Sequence, residues 1–242
     1  MVSRTLTRGL RVAAAVRLAA RPSSLGAQIY GIVRARILTG KIAPGAVIDE
    51  KAIAMELGVS RTPVREAVKK LSDENLVEVK AQSGTLASRI NRKLIHEAYL
   101  IRRALEVENI GHAAVRVSMT DIKALEDINS RHVAALQRHR FVEAIGLDDE
   151  FHRQISEISD LPQLWQVVVV SKAHLDRCRY MNLPRPGQAE ITLKQHRAII
   201  DALAGQSAAK ARKAMKDHLD MSYQGIVDFL LSTDHEAHVP MI

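Results

Sequence analysis

The sequence predicts a mainly α-helical fold, with an N-terminal winged helix-turn-helix and a C-terminal antiparallel six-helix bundle. Apolar residues recur at helical spacing along most of the chain, and short β-prone runs occur only at 76–80 and 85–88. Charge is uneven, because the first 90 residues carry 15 basic and 7 acidic side chains and the rest carry 20 of each. All ten histidines lie beyond residue 90. This contrast indicates two domains, a basic one suited to a polyphosphate and a neutral, histidine-rich one.

The composition of the 242 residues excludes several classes of protein. A single cysteine, Cys178, rules out a disulfide scaffold and a cysteine-rich zinc module, and it fits a reducing cytoplasm, the expected location. No run approaches the roughly 20 apolar residues of a membrane helix, so no membrane partner is expected. Aromatic residues make up only 3%, which disfavours a protein that stacks bases on aromatic side chains.

The 23–90 domain has the element order of a winged helix-turn-helix. Apolar residues at helical spacing predict a first helix from Leu25 to about Gly40, and a second is expected from about Glu50 to Leu57. Ser60 is suited to cap a third helix, whose first turn accepts Pro63. Strands at 76–80 and 85–88 would then form a hairpin around residues 82–84.

The remaining segments follow from the same patterns. Residues 1–22 form a basic arm that is expected to be disordered; a DNA-contacting arm, an organellar-type presequence and a wrongly assigned start codon all fit it. Residues 91–232 form an all-helical domain, and 233–242 a flexible tail. Prolines at 162, 184 and 186 separate helices. The six predicted helices cover 93–116, 120–139, 141–159, 162–181, 188–204 and 207–231.

The start of the third helix has the chemistry of a DNA-reading element. A recognition helix enters the major groove with its N-terminal turn, so that turn should be short, polar and cationic. Ser60 and Thr62 offer hydroxyl groups. Arg61 and Arg65 are four residues apart and share one face of the helix, and either can donate two hydrogen bonds to guanine. Lys51 opens the preceding helix and Gly84 lies at the tip of the wing, and both are expected to approach phosphates. A merely solvated cationic face is the alternative.

The same stretch resembles the DNA-binding signature of GntR-type bacterial transcription regulators. The resemblance rests on Pro44-Gly45, on the run from Leu57 to Ala67 and on the Gly84 wing, and it covers residues 25–88. It implies that Lys51, Arg61, Thr62, Arg65 and Gly84 lie at the operator. The departures are mild: Ile53-Ala54-Met55 replaces a Leu-Ala-Glu type run, and Asp73-Glu74-Asn75 stands where a glycine is commoner.

Four metal-ligating groups fall in apolar stripes of the all-helical domain. Asp148 and His152 are four residues apart within the stripe of one helix, and His196 and His218 lie in the stripes of two others. A buried carboxylate is costly unless it is paired or bound to a metal. One carboxylate and three imidazoles would make a divalent metal site. Hydrogen-bonded core residues are the alternative.

This domain resembles the all-helical effector domain, called FCD, of the FadR-type branch of that family. The resemblance rests on the run from Arg102 to Glu106, the Asp148–His152 pair, the run from Gln195 to Ile199, and His218. It implies a bound zinc or nickel ion held by Asp148, His152, His196 and His218, with a small carboxylate effector against it. Arg102 would grip that carboxylate. Arg177 and Arg179 are weaker candidates, and the other histidines, among them 112, 132, 139, 174, 235 and 238, are interpreted as surface or packing residues.

Three functions fit these patterns. The first is a ligand-responsive regulator, expected to be a repressor, that binds palindromic double-stranded DNA as a homodimer; the 91–232 domain would bind the effector and dimerise. The second is a metal-dependent enzyme, since three histidines and a carboxylate can also activate water. The third is a constitutive DNA-binding protein whose helical domain only dimerises.

Overall fold

The computed structural model describes residues 24–80, 84–185 and 187–234, which separate into two compact units between Ser88 and Arg89. The basic arm and the residues after 234 lie outside the described part. The first unit contains α1 (Leu25–Leu38), α2 (Glu50–Leu57), α3 (Arg61–Asp73), β1 (Val77–Lys80) and β2 (Gly84–Ala87). The second contains α4 (Arg92–Ala114), α5 (Met119–Gln137), α6 (Phe141–Ile158), α7 (Pro162–Ser171), α8 (Ala173–Asn182), α9 (Gln188–Ala204) and α10 (Ala208–Asp234).

Capping and turn residues set the ends of the helices in the first unit. The Asp49 side chain accepts hydrogen bonds from the backbone N–H groups of Lys51 and Ala52 and so caps α2. Gly58, at φ +66°, closes α2 in the left-handed region that glycine tolerates best. The bend after α3 uses Asn75 at φ +57°, a conformation that asparagine also adopts. Asparagine therefore supplies the positive-φ residue that this turn requires.

The two strands form the wing that the sequence predicts. They pair antiparallel, with Val77 opposite Ala87 and Lys80 opposite Gly84. Val77 and Ala87 are buried, whereas Lys80 and Gly84 are exposed. Residues 82 and 83 of the predicted hairpin turn lie outside the described part of the chain. The described elements of this unit confirm the predicted winged helix-turn-helix.

The second unit is all-helical, but one predicted helix is wrong. The segment 162–181 is two helices, α7 and α8, divided at Lys172, so the described part has seven helices here instead of six. The Lys172 side chain is only 1% exposed, and its ammonium group contacts carboxylates on α6 and α8. This tertiary contact accompanies the break, and no proline or glycine marks it in the sequence.

Helix α4 is the centre of the second unit and packs against α6, α7, α8, α9 and α10. The largest apolar cluster joins α4, α5, α6, α9 and α10, and includes Ile110, Leu125, Phe151, Ile199 and Met215. One face of α4 is polar and still buried, with Arg102, Glu106 and Asn109. Buried charges need partners, and these lead to the candidate site. No helix in the described part of the chain is both long and apolar enough to cross a bilayer.

Candidate DNA-binding surface and metal centre

The N-terminal turn of α3 is open to solvent. Ser60 caps the helix with extended backbone, at φ −70° and ψ 166°, but its side chain makes no capping hydrogen bond. Arg61 and Thr62 follow in the first turn and are exposed, and the Arg65 side chain is 71% exposed. The opposite face of α3 is buried through Val64, Val68 and Leu71. The apolar face thus orients the cationic face outward.

Glu50, at the start of α2, contacts both α3 and the wing strand β2. The sequence analysis did not identify it as a site residue. Its carboxylate lies 3.9 Å from Nε of Arg65 and accepts a 3.5 Å hydrogen bond from the hydroxyl of Thr85. Lys51 and Gly84, each the neighbour of one of these residues, are both exposed, and Gly84 has φ +79°. All six residues predicted for DNA are therefore exposed in the first unit.

The four predicted metal ligands come together in the second unit. Asp148 and His152 on α6, His196 on α9 and His218 on α10 are all buried, and one ligand atom of each lies within 4.8 Å of the others. Nε2 of His196 is 3.2 Å from Oδ1 of Asp148, and Nε2 of His152 is 3.2 Å from Nε2 of His218. We call these four residues the quartet.

The Nδ1 atoms of two imidazoles each lie beside an acceptor oxygen. Nδ1 of His218 lies 3.0 Å from Oε1 of Gln195, to which it donates, and Nδ1 of His152 contacts the Glu106 carboxylate. With the proton on Nδ1 in both rings, the two Nε2 atoms present lone pairs that face each other. Two such lone pairs repel unless a cation lies between them, so the donor set fits a metal ion. Nδ1 of His196 is buried without a hydrogen bond among the described residues, and its Nε2 lies beside the Asp148 carboxylate.

The electrostatics of the quartet also suit an ion. Burial by itself would raise the pKa of Asp148, but the Arg179 guanidinium and the neighbouring imidazoles hold it well below its usual range. Burial lowers the pKa values of His196 and His218. The carboxylate is thus ionised and these two imidazoles are neutral near pH 7, which are the forms that coordinate metals.

A cavity of about 200 Å³ adjoins the quartet. Asp148 and His218 line it, together with Arg102, Arg179 and His132. Nε of Arg102 lies 2.5 Å from Oε1 of Glu106, whereas its Nη2 is buried without a hydrogen bond among the described residues. Arg102 is therefore placed where a carboxylate could be gripped, as the resemblance implies.

The two weaker candidates for effector binding, Arg177 and Arg179, differ in their position relative to the cavity. Arg179 lines the cavity, and its Nη2 is 2.5 Å from Oδ2 of Asp148. Arg177 is buried and does not line the described cavity. His112 and His139 are exposed and His174 is buried, as expected of surface and packing residues, while residues 235 and 238 lie outside the described part.

The sequence analysis did not identify two residues that lie at the site, Glu106 and His132. Glu106, named only within the run that carried the resemblance, holds both Arg102 and His152. His132 is 2% exposed and lines the cavity, and burial lowers its pKa to about 4. His132 follows Leu125 and Ile128 in the apolar stripe of α5, so the test applied to His196 and His218 would have found it.

An ionic cluster extends from the quartet to the break between α7 and α8. The ammonium of Lys172 lies 2.9 Å from Asp149 and 2.6 Å from Asp176, and Arg179 contacts the same two carboxylates at 3.5 and 3.4 Å. The Trp165 ring lies 5.8 Å from that ammonium and is parallel to the His152 ring, with centroids 6.3 Å apart. We define the ionic cluster as Arg102, Glu106, Asp148, Asp149, Lys172, Asp176 and Arg179.

Replacing Lys172 by methionine is expected to lower the free energy of unfolding by about 3 kcal/mol, because the buried Asp176 and the partly buried Asp149 lose a cation. Urea denaturation followed by circular dichroism measures this change. Lys213→Met is the matched control, since Lys213 is exposed and pairs only with Asp217 among the described contacts, so its loss should stay below about 1 kcal/mol. Equal losses in the two variants would contradict the assigned role of Lys172.

Comparisons with known proteins identify the class of this chain. Residues 25–86 match the family model of bacterial regulatory proteins of the gntR family, and residues 97–221 match the FCD domain model. Fold and sequence together define a DNA-binding transcription regulator of the winged-helix type. The chain belongs to the GntR family and carries an FCD domain as its second part.

Relatives and solved structures agree with this assignment. The HTH-type transcriptional repressor RspR of Escherichia coli K12 is 32% identical over 192 residues, covering 79% of this chain and 84% of its own. An uncharacterized HTH-type regulator of Streptomyces ambofaciens is 32% identical over 198 residues, covering 82% and 83%. The structure of E. coli McbR/YncC has a TM-score of 0.76 at 19% identity, covers 86% of this chain and 100% of that one, and shows the shared fold. These matches point to a transcription regulator rather than an enzyme.

Proposed function

We propose that this chain is a repressor that binds a palindromic operator as a homodimer and responds to a small organic acid bound at a divalent metal ion. It would act in the cytoplasm, where its DNA lies. The observation that carries the sensing half is the quartet beside a cavity lined by Arg102, whose Nη2 is buried without a hydrogen bond among the described residues. The DNA-binding half is supported by the family and by the exposed start of α3.

Each residue of the exposed surface has a distinct role in this proposal. Arg61 and Arg65 read bases in the major groove, since a guanidinium can donate two hydrogen bonds to guanine. Ser60 and Thr62 donate to phosphate or base edges beside the free N–H groups of the helix start. Lys51 and Gly84 approach the phosphates from either side, the one by charge and the other by close backbone approach.

Zinc or nickel is the ion we propose for the quartet. Three imidazoles and one carboxylate suit either ion. When bound, the ion supplies a Lewis acid to which a carboxylate oxygen can bind. Gln195 and Glu106 orient His218 and His152 toward it.

The charge of the ionic cluster matches an anionic effector. The cluster has three cationic and four carboxylate side chains, so its formal charge is −1 when the imidazoles are neutral. A divalent ion would bring this charge to +1. A single carboxylate then compensates it, and the low dielectric of a buried site makes that compensation favourable.

Exposed apolar side chains on two helices that contact each other support the homodimer. Leu100 and Ile101 on α4 are 45% and 40% exposed, and Val167 and Val170 on α7 are 52% and 60% exposed. A second copy of the chain would cover these apolar side chains. Two winged units could then read two half-sites, which multiplies specificity. The effector changes DNA affinity only if it binds the DNA-competent and incompetent states unequally.

A binding selection tests the proposal. The full chain, whose mass in solution is measured by light scattering, is incubated with a randomised duplex library, and the retained DNA is sequenced. We expect a dimer and an inverted repeat with half-sites roughly 10 base pairs apart. Adding Zn²⁺ and a panel of small carboxylic acids is expected to release the selected duplex. A DNA affinity that no metal or acid changes would support the constitutive DNA-binding protein instead.

A further inference from the structure

Glu50 is an acid beside the cationic side chains of the surface proposed for DNA. We propose that Glu50 is a specificity-determining residue, which holds the Arg65 side chain toward the bases and keeps it from pairing with phosphates. This inference rests on the proposed function, because it concerns the same surface. It implies that Glu50 lowers the affinity for DNA of any sequence and raises the preference for the operator.

The structure fixes the Glu50 carboxylate between two other elements. Asp49 caps α2, the helix whose first residue is Glu50. Oε1 of Glu50 accepts the 3.5 Å hydrogen bond from the hydroxyl of Thr85 on β2, and Oε2 lies 3.9 Å from Nε of Arg65 on α3. The Glu50 side chain is only 17% exposed. It is therefore placed to act on Arg65 rather than to contact a base itself.

The contact uses an atom of Arg65 that base reading does not require. A guanidinium has five N–H donors, and an arginine that donates two hydrogen bonds to guanine can use its terminal Nη groups. Nε of Arg65 faces Glu50, which leaves both Nη groups for DNA. The guanidinium makes no other ion pair among the described residues. Because an oriented side chain loses less freedom on binding, the contact favours one geometry at the base.

The charge of Glu50 disfavours the competing contact of Arg65 with a phosphate. Phosphates repeat along every duplex, so an arginine that pairs with one adds affinity without sequence information. The carboxylate beside the guanidinium compensates part of its charge and repels an approaching phosphate. The edge of a guanine is neutral and is not repelled in this way. Glu50 therefore weakens contacts to the DNA backbone more than contacts to guanine.

Thr85 connects this arrangement to the wing. Its hydroxyl donates to Glu50, and its backbone pairs with Val79 on β1, so the wing orients the carboxylate. Gly84, the preceding residue, is exposed at the position expected to approach a phosphate. Removing the hydroxyl of Thr85 should therefore loosen Glu50 without changing any charge.

Paired duplexes test the inference on the full chain. Gel-shift titrations at several salt concentrations measure the affinity for the selected duplex and for a scrambled duplex of the same length and composition. Glu50→Gln is expected to bind the scrambled duplex severalfold more tightly, with a salt dependence steeper by about one released counterion, because Arg65 can then reach a phosphate. The ratio of the two affinities should fall by about tenfold or more, since one arginine–guanine contact loses its geometry.

Further variants separate position from charge. Glu50→Asp keeps the charge on a shorter side chain, so the ratio should fall while the affinity for the scrambled duplex rises less than in Glu50→Gln. Thr85→Val should lower the ratio by part of the Glu50→Gln effect. Glu78→Gln is the charge-matched control, because Glu78 is exposed on β1 and lies 3.3 Å from Lys80, so the ratio should not change. In an Arg65→Ala background, Glu50→Gln should no longer change the ratio.

The outcomes distinguish this inference from the proposed function. An unchanged ratio in Glu50→Gln, or an equal loss of affinity for both duplexes, overturns the specificity role of Glu50. An effect of the same size in the Arg65→Ala background overturns the positioning role, because it does not act through Arg65. In these cases the wild type still prefers the selected duplex, and the proposed regulator stands. If the wild type binds both duplexes equally, the inference fails together with the DNA-reading half of the proposed function.

Discussion

Replacing Arg61 and Arg65 together by alanine is expected to weaken binding to the selected DNA duplex by about a hundredfold or more. Each arginine that donates two hydrogen bonds to guanine contributes about 1–3 kcal/mol of discrimination. Both side chains lie on the exposed face of α3, so their loss should leave the fold intact. Gel-shift titrations of the wild type and the variant measure the change in affinity for the selected duplex.

Arg153→Ala is the control for this prediction. Arg153 is a partly exposed arginine of the second unit that pairs with Glu157 on the same helix, and its removal should not change DNA affinity. The double variant should also show a shallower dependence of affinity on salt, because fewer counterions are released when fewer phosphates are neutralised. Wild-type affinity in the double variant would refute the assignment of α3 as the reading helix.

Replacing His218 by alanine is expected to weaken zinc binding by more than the roughly 10–100-fold that loss of an outer hydrogen-bond partner costs. The variant removes one of four donors and leaves Nε2 of His152 without the atom it faces at 3.2 Å. Competition against a chromophoric chelator gives the affinity. In the wild type, zinc at about 100 times its dissociation constant should also stabilise the fold by about 2.7 kcal/mol.

Two further variants provide comparisons for the zinc affinity of His218→Ala. Gln195→Leu removes only the acceptor that orients His218, so its loss should fall within the roughly 10–100-fold range. His112→Ala removes an exposed imidazole and should bind zinc as the wild type does. An unchanged zinc affinity in His218→Ala would show that the quartet is a set of hydrogen-bonded core residues.

Local chemistry made much of the fold predictable. The predicted bounds of α2, about Glu50 to Leu57, agree with the structure, in which Asp49 caps the start of the helix and Gly58 closes its end. The quartet was predictable as a group, since each member interrupts an otherwise apolar stripe and such stripes face the interior. The proximity of the four ligand atoms agrees with that reasoning, and their metal-binding role stays a prediction.

What the sequence could not show depends on contacts between distant segments. The break at Lys172 accompanies carboxylates on α6 and α8, and hydrophobic periodicity carries no sign of such a partner. The contact of Glu106 with His152 joins α4 to α6 in the same way. His132 is different, because its stripe was visible and only the test was not applied to it.

The position of the single tryptophan has a practical consequence. Trp165 is 6% exposed, and its ring lies parallel to that of His152. All indole emission of the chain therefore originates beside the quartet, so a rearrangement of the imidazoles changes the local electric field at the emitter. The fluorescence of Trp165 therefore reports on that region, and occupancy of the quartet can be followed in real time without a dye or a label.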